Sequence, residues 1–475
     1  MKKQYFISII ILIFIASILV RFLDLSAISL WHDEAFSVIL SKMSFSEMTY
    51  RTGLDVHPPF YYWVLKIWSF VFGQSLFALR AMSVFFSLLC LVFVYLLLRE
   101  IKIKNYLILG ILLCLTWAPF QIQYAQEMRM YSLGGFLIIA SCYFLIKLIK
   151  KFSWQNLIIY SLLITAGLYT HYYLIFSIIA QALIVLIWRK WKILLAYIIT
   201  GLAFLPWLKI FISQAKQVTD TFWIPAISGT SVPNTLLRLI LGSKVKIEDH
   251  WILYSILIGI SLFFVILGLI KTRNKFKWLI FSLFFTPFIL AILLSLKQAI
   301  FLDRYFIFVH AFYYILILMG IFKLPKNIFK YIFASCFVIL NIYSFFSYSQ
   351  ALDLENKPGM KSAVQYINEN AESGDRIFVG SSFVFFNLQY YNKTGIMPLL
   401  YAPGELSHFS GTAILHDNDI IKEFPKILKN PAYMINTTGF GNFQPSVPKT
   451  WNKIDEQSFQ EVHDHQGWII ITKYK

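Results

Sequence analysis

Asp33 and Glu34 stand side by side in "SAISLWHDEAFSVIL" (26–40), directly after a strongly apolar N-terminal run. Adjacent carboxylates repel each other and resist burial, so a chain keeps them together where they are used. One carboxylate can remove a proton from an acceptor hydroxyl or amine, and the second can orient the acceptor, a sugar or a metal ion. Other chemistry-bearing residues follow: His57 before Pro58 and Pro59, Glu127 and Arg129 in "YAQEMRMY" (124–131), His171 in "THYY" (170–173) and Arg304 in "LDRYF" (302–306). Arginines hold phosphate through a bidentate guanidinium geometry. Carboxylates and arginines at one depth fit group transfer from a lipid-borne phosphate, whose tail lies in the bilayer and whose headgroup lies at its surface. Each residue alone also has an ordinary reading. Asp33 and Glu34 suit the N-terminus of a helix over "DEAFSVIL". Glu127 and Arg129 suit a surface ion pair, His171 a satisfied polar residue and Arg304 an interfacial anchor.

The elements that must position these residues are membrane helices. The 475-residue chain is 58% hydrophobic and 14% charged, where a soluble protein carries about 25% charge. Aromatic residues reach 18%, as suits helices in lipid with interfacial belts. Eleven apolar runs have spanning length: 5–23, 77–98, 105–122, 130–148, 155–171, 172–188, 193–212, 251–270, 278–296, 305–322 and 329–348. The fifth and sixth nearly fuse at "LYTHYYLIF", which requires a tight turn. The first run has no small-residue cleavage site after it and reads as a retained span. Cys90, Cys114, Cys142 and Cys336 all fall inside apolar runs and read as buried small hydrophobes.

"HPPFYYWVLKIWSFVFG" (57–73) is apolar but short, and charge decides whether it crosses. If it lies in the interface and the N-terminus is cytoplasmic, the inner loops hold Lys2 and Lys3; Arg99, Lys102 and Lys104; Lys147, Lys150 and Lys151; Arg189, Lys190 and Lys192; Lys271, Arg273, Lys275 and Lys277; and Lys323, Lys326 and Lys330. Those eighteen basic residues face one acid, Glu100. A crossing at 57–73 would move nearly all of this charge outside, against the positive-inside rule. The net charge of +18 thus belongs to inner loops and not to a nucleic-acid surface. With this topology Asp33, Glu34, His57, Glu127, Arg129, His171 and Arg304 all fall at the outer ends of spans. A charge near the membrane costs a few kcal/mol unless paired or facing a cavity, and unrelated caps and anchors would scatter over both faces.

The expected architecture is an α-helical polytopic membrane protein of about eleven spans over residues 1–350, with a first outer loop at 24–76. A small α/β domain follows on the outer face over 351–475. There, "KSAVQYINEN" and "FVFFNLQYY" read as helices, and "GDRIFVG", "PAYMINT" and "GWIIITKY" carry strands. The stretch 214–250 reads as an outer loop with a short interfacial helix, able to act as a lid.

Taken together, "LWHDEAFS", "DVHPPFYYWVLKIW", "ALRAMSVFFSLL", "YAQEMRMYSL" and "DRYFIF" resemble the polyprenyl-phosphate-sugar-dependent glycosyltransferases of the GT-C fold, the superfamily of protein O-mannosyltransferases and lipid A aminoarabinose transferases. The resemblance covers roughly residues 1–350. It implies Asp33 as catalytic base and Glu34 as its partner, and it implies His57, Glu127, Arg129, Arg304 and Tyr305 as substrate-binding residues. Tyr131, Tyr172 and Tyr173 are added as candidates to stack on a sugar ring, and His171 as a further substrate-binding candidate. It also implies inversion at the anomeric carbon. The β-trefoil insert of the protein O-mannosyltransferases is missing from the sequence, which leaves a glycan, a lipid or a protein as acceptor. Asp33, Glu34, His57, Glu127 and His171 would hold a divalent metal ion only if they converge. The implied partners are a polyprenyl-phosphate sugar, membrane lipid and the acceptor, with no nucleic acid. A transporter or lipid flippase is the alternative, although such proteins place their sites near the bilayer midplane and often carry repeats, and no repeat is visible here. A binding protein whose tail does the work is a third reading.

Overall fold

In lipid a chain has no water to satisfy its backbone, so long apolar runs close their hydrogen bonds internally as helices. The computed structural model describes residues 3–220 and 223–475. Its helices are α1 (Lys3–Phe22), α2 (His32–Lys42), α3 (Phe45–Leu54), α4 (Phe60–Phe72), α5 (Leu76–Glu100), α6 (Asn105–Trp117), α7 (Pro119–Gln126), α8 (Tyr131–Lys150), α9 (Trp154–Leu168), α10 (Leu174–Ile187), α11 (Leu194–Asp220), α12 (Ser231–Leu241), α13 (Trp251–Lys271), α14 (Lys277–Ser295), α15 (His310–Ile321), α16 (Asn327–Leu352), α17 (Gly359–Asn370) and α18 (Ser382–Tyr391). All eleven expected spans fall on helices. Among the described residues eight stretches are long and apolar enough to cross a bilayer, or nine if the bent pair α6 and α7 counts as one. The chain is a multi-pass membrane protein. Helices α4, α9 and α10 have 13, 15 and 14 residues, short of the roughly 20 that a straight crossing uses. The expected turn between α9 and α10 is present at 169–173. Lys2 of the basic inner-loop set, and Thr221 and Phe222 of the expected lid, lie outside the described residues. The short helix expected in 214–250 is α12. Cys90, Cys114 and Cys142 are buried as expected, whereas Cys336 is exposed on α16, because a span turns part of its surface to lipid.

The chain folds as two units. The first comprises Met1–Leu23, His57–Val64 and Ala78–Ser349. In it α8 packs on α9 and α10, α10 on α14, and α13 on α15. The last pair touches backbone to backbone: a Cβ at Gly320 would lie 1.7 Å from the Phe264 carbonyl oxygen. Small residues permit such close crossings, which is how helices gain packing energy in a solvent as apolar as themselves.

The α6–α7 break sets where "YAQEMRMY" begins. Ala118 is extended and Pro119 opens α7; proline has no N–H and cannot continue the helix before it. The axis bends by 54°, and the last carbonyls of α6 lose their amide donors. Arg21, fully buried at the end of α1, supplies them. Its Nη2 donates to the Leu115 carbonyl at 3.1 Å and its Nη1 to the Thr116 and Ser17 carbonyls at 3.3 and 3.4 Å, while Nε donates to Ser87 Oγ at 2.9 Å. In return Gln126, at the end of α7, donates through Nε2 to the carbonyls of Arg21 and Leu23.

The second unit comprises Asp24–Val56, Leu65–Phe77 and Gln350–Lys475, so much of the expected first loop folds with the C-terminal residues. Its strands are β1 (Arg376–Val379), β2 (Leu399–Tyr401), β3 (Ile420–Ile421), β4 (Ala432–Thr437), β5 (Lys453–Gln460) and β6 (Trp468–Tyr474), in the order β3-β2-β1-β4-β6-β5. The first four are parallel, and β6 and β5 are antiparallel. The central strands β1 and β4 are nearly continuous apolar runs buried along most of their length, as parallel strands covered on both faces must be. Phe378, Ala432, Met434 and Trp451 form a core beneath them.

Candidate active site

In the first unit a cluster of aromatic and ionisable side chains gathers at the turn between α9 and α10. That turn is tied to the start of α4, where Phe60 N–H donates to the Tyr169 carbonyl at 2.9 Å. His57, held just before Pro58 and Pro59, lies with its ring centroid 5.9 Å from that of His171. Around His171 stand Tyr305 at 4.8 Å, Phe308 at 5.2 Å and Tyr131 at 6.5 Å, while Tyr173 meets Tyr305 at 4.9 Å. His171 Nδ1 accepts from the Tyr173 N–H at 3.1 Å. In the neutral ring the proton is therefore on Nε2. Among the described residues that Nε2 has no hydrogen-bond partner, although it is buried, which is costly unless something else completes the site.

Arg129 is buried, and its charge reaches His171. Glu127 accepts from Gln123 Nε2 at 3.3 Å. The phenol of Tyr124 feels Asp303, Arg304 and Glu127 electrostatically, and its ring meets Tyr131 edge-on at 5.0 Å. Arg304 lies over the Trp223 ring at 5.6 Å, so the stretch expected to act as a lid contributes a wall to this region. Asp303 holds that corner: its carboxylate accepts from Arg304 N–H and pairs with Arg238 of α12 at 2.8 Å.

The structure thus brings His57, Glu127, Arg129, Tyr131, His171, Arg304 and Tyr305 into one neighbourhood. Tyr172 turns away: its hydroxyl donates to Gln214 and accepts from Trp207 Nε1, both on α11. Tyr173, a stacking candidate from the sequence, joins the cluster, and Tyr124, Trp223 and Asp303 do so without having been singled out in the sequence. Tyr124 had the clearest signal, lying inside "YAQEMRMY". Arg80, in "ALRAMSVFF", is also buried.

In the second unit Asp33 and Glu34 occupy the first turn of α2. Trp31 precedes that helix and offers no side-chain cap, so the first-turn carboxylates complement the exposed N–H groups and the positive end of the helix dipole. Asp33 is half-buried and Glu34 fully buried. Asp55, two residues before His57 in the chain, is largely buried and its charge reaches His408. Among the described residues no three His, Cys, Asp or Glu side chains are grouped to hold a metal ion.

Residues 56–213 match the family described as dolichyl-phosphate-mannose-protein mannosyltransferase. No curated protein matches the sequence. Among solved structures, ArnT from Cupriavidus metallidurans, without ligand, aligns with a TM-score of 0.62 at 11% identity, over 98% of this chain and 97% of its own. ArnT bound to undecaprenyl phosphate aligns with the same TM-score at 12% identity, over 98% and 97%. The oligosaccharyltransferase AglB from Archaeoglobus fulgidus, in complex with an inhibitory peptide and a dolichol-phosphate, aligns with a TM-score of 0.51 at 11% identity, over 84% of this chain and 64% of its own. The chain has the fold of the GT-C glycosyltransferases, as its motifs at 30–37, 55–68, 78–89, 124–133 and 303–308 led one to expect.

Proposed function

We propose that the protein is an integral-membrane glycosyltransferase that moves a hexose or pentose from a polyprenyl-phosphate donor to a glycan, lipid or protein acceptor at the outer face of the cell membrane. The observation that carries this is the adjacent Asp33 and Glu34, half-buried and fully buried, in the first turn of the helix that follows the first span, within a chain of GT-C fold. Support for the donor comes from the undecaprenyl phosphate held by ArnT and the dolichol-phosphate held by AglB.

The acceptor oxygen or nitrogen attacks the anomeric carbon, and its proton passes to the Asp33 carboxylate. The bond from that carbon to the phosphate oxygen breaks, and polyprenyl phosphate leaves with the electron pair. A single displacement of this kind inverts the anomeric centre. Glu34 orients the reacting hydroxyl or amine. Arg129 and Arg304 stabilise the charge growing on the phosphate; His57, Glu127, Tyr131 and Tyr305 bind the headgroup; and His171 Nε2 donates a hydrogen bond to it, whereas Tyr172, turned to α11, takes no part.

The test is release of free undecaprenyl phosphate by purified protein offered a panel of undecaprenyl-phosphate hexoses and pentoses with acceptor extracts. Wild type should release it with at least one donor, and Asp33→Asn should lower that release by about a thousandfold or more, as loss of an essential base does. Equal release by both proteins would sink the assignment of Asp33.

A further inference from the structure

The second unit carries an arrangement that the reaction above does not explain. Leu30, the residue before the Trp31 cap of α2, is fully buried, and both of its backbone polar groups are taken by side chains. Its N–H donates to Tyr391 Oη at 2.9 Å, and its carbonyl accepts from Asn387 Nδ2 at 2.8 Å. Asn387 and Tyr391 are four residues apart on α18 and so share a face. One residue earlier, Ser29 Oγ accepts from the Lys361 N–H at 3.0 Å, at the start of α17. Two residues later, the His32 ring lies against Phe383 at 4.6 Å and Phe386 at 5.6 Å, again on α18. Residues 29–32 are therefore held at successive points by α17 and α18.

This goes beyond what domain packing needs. Apolar contact alone buries surface but leaves a peptide free to turn. Two hydrogen bonds on opposite sides of one residue fix the direction of the chain through it. That chain enters α2 within three residues, and Asp33 and Glu34 lie in its first turn. We propose that the face of α18 bearing Asn387 and Tyr391 is a clamp that sets the direction of the two carboxylates, making Asn387 and Tyr391 positioning residues for sugar transfer. The clamp rests on Asp33 being the base. It gives the C-terminal residues a task in catalysis without contact to substrate. Because it grips backbone, the identity of residue 30 matters little, whereas Asn387 and Tyr391 matter through single polar atoms.

The experiment uses the full-length purified protein. Tyr391→Phe removes one hydroxyl and keeps the ring. With the undecaprenyl-phosphate sugar that wild type uses best, kcat should fall at least tenfold while KM for the donor and the melting temperature stay close to wild type. Asn387→Asp places a carboxylate against the Leu30 carbonyl. Its activity relative to wild type should recover as pH falls, because the protonated acid donates the missing bond. Exchange of the amides of residues 29–34 should rise at least tenfold in Tyr391→Phe, read by hydrogen–deuterium exchange and independent of any donor. Unchanged exchange at 29–34 would overturn the clamp, as would wild-type kcat in Tyr391→Phe alongside an inactive Asp33→Asn. A flat pH dependence of the Asn387→Asp to wild-type ratio would mean that Asn387 only packs, and would also overturn it. Full activity in Asp33→Asn would instead remove the base on which the clamp acts.

Discussion

Arg21 and His171 are both buried polar residues at the ends of helices in the same unit, yet their surroundings differ in kind. Arg21 is closed: its guanidinium donates to the Ser87 hydroxyl, to the Ser17 carbonyl of its own helix and to the two carbonyls, of Leu115 and Thr116, left open by the break at Ala118 and Pro119. His171 is open: one ring nitrogen is fixed by the Tyr173 N–H, and the other is buried with no hydrogen-bond partner. Unmet buried donors are unfavourable by about 1–3 kcal/mol, so a fold keeps one where something outside the chain completes it. The first residue holds the scaffold together, and the second keeps a donor that, under the proposed function, a ligand completes.

The largest break of this contrast comes from Arg21→Leu. It strands the carbonyls of Leu115 and Thr116 beside the bent span. The expected destabilisation is about 3–5 kcal/mol, measured as loss of folded protein on thermal challenge. Transfer activity should fall only in proportion to the folded fraction. If specific activity of the surviving protein collapsed instead, Arg21 would belong with the functional group.

His171→Asn should do the reverse. The asparagine Oδ1 can still accept from the Tyr173 N–H, but no donor reaches the position of Nε2. Loss of a hydrogen bond to a phosphate or sugar is worth roughly 1.5–3 kcal/mol, about ten- to a hundredfold in kcat/KM. The melting temperature should remain near that of wild type. A stability loss without a change in kcat/KM would return His171 to the structural class.

Glu461 sharpens the comparison from the second unit, because it is partly closed. Its Oε1 accepts from the Met360 N–H at 2.9 Å, at the start of α17, and burial raises its carboxyl from an ordinary value near 4.5 to about 7. The folded state thus keeps this proton up to about pH 7, whereas the unfolded chain releases it near 4.5. Stability from this group is complete below that lower value and is lost as pH rises through 7. The expected loss is about 2 kcal/mol between pH 5 and 8, seen in thermal melts. Glu461→Gln keeps the acceptor for Met360 and should flatten that slope.

The sequence went far where a side-chain pattern alone creates an element. "KSAVQYINEN" became α17, "GDRIFVG" and "PAYMINT" gave β1 and β4, and every apolar run became helix. It was silent on β5, "KIDEQSFQ", because most of those side chains are exposed and only pairing with β6 makes it a strand. Strands β2 and β3, of three and two residues, are too short to carry a period. At the site, residue types named His57, Glu127, Arg129, Tyr131, His171, Arg304 and Tyr305. They could not choose between neighbours, and Tyr172 and Tyr173 face different helices because the turn at 169–173 points them apart.

Hydrophobic length and residue pattern by themselves determined a helical membrane protein with a small α/β portion, since burial and backbone satisfaction in lipid depend on local composition; its GT-C type was legible only through the resemblance of its motifs to that family. Tertiary structure alone decided which buried polar groups are complete and which stay open. That follows from partners far along the chain: Arg21 needs the carbonyls of residues 115 and 116, and Leu30 needs Asn387 and Tyr391. No window of sequence contains both ends of such a bond.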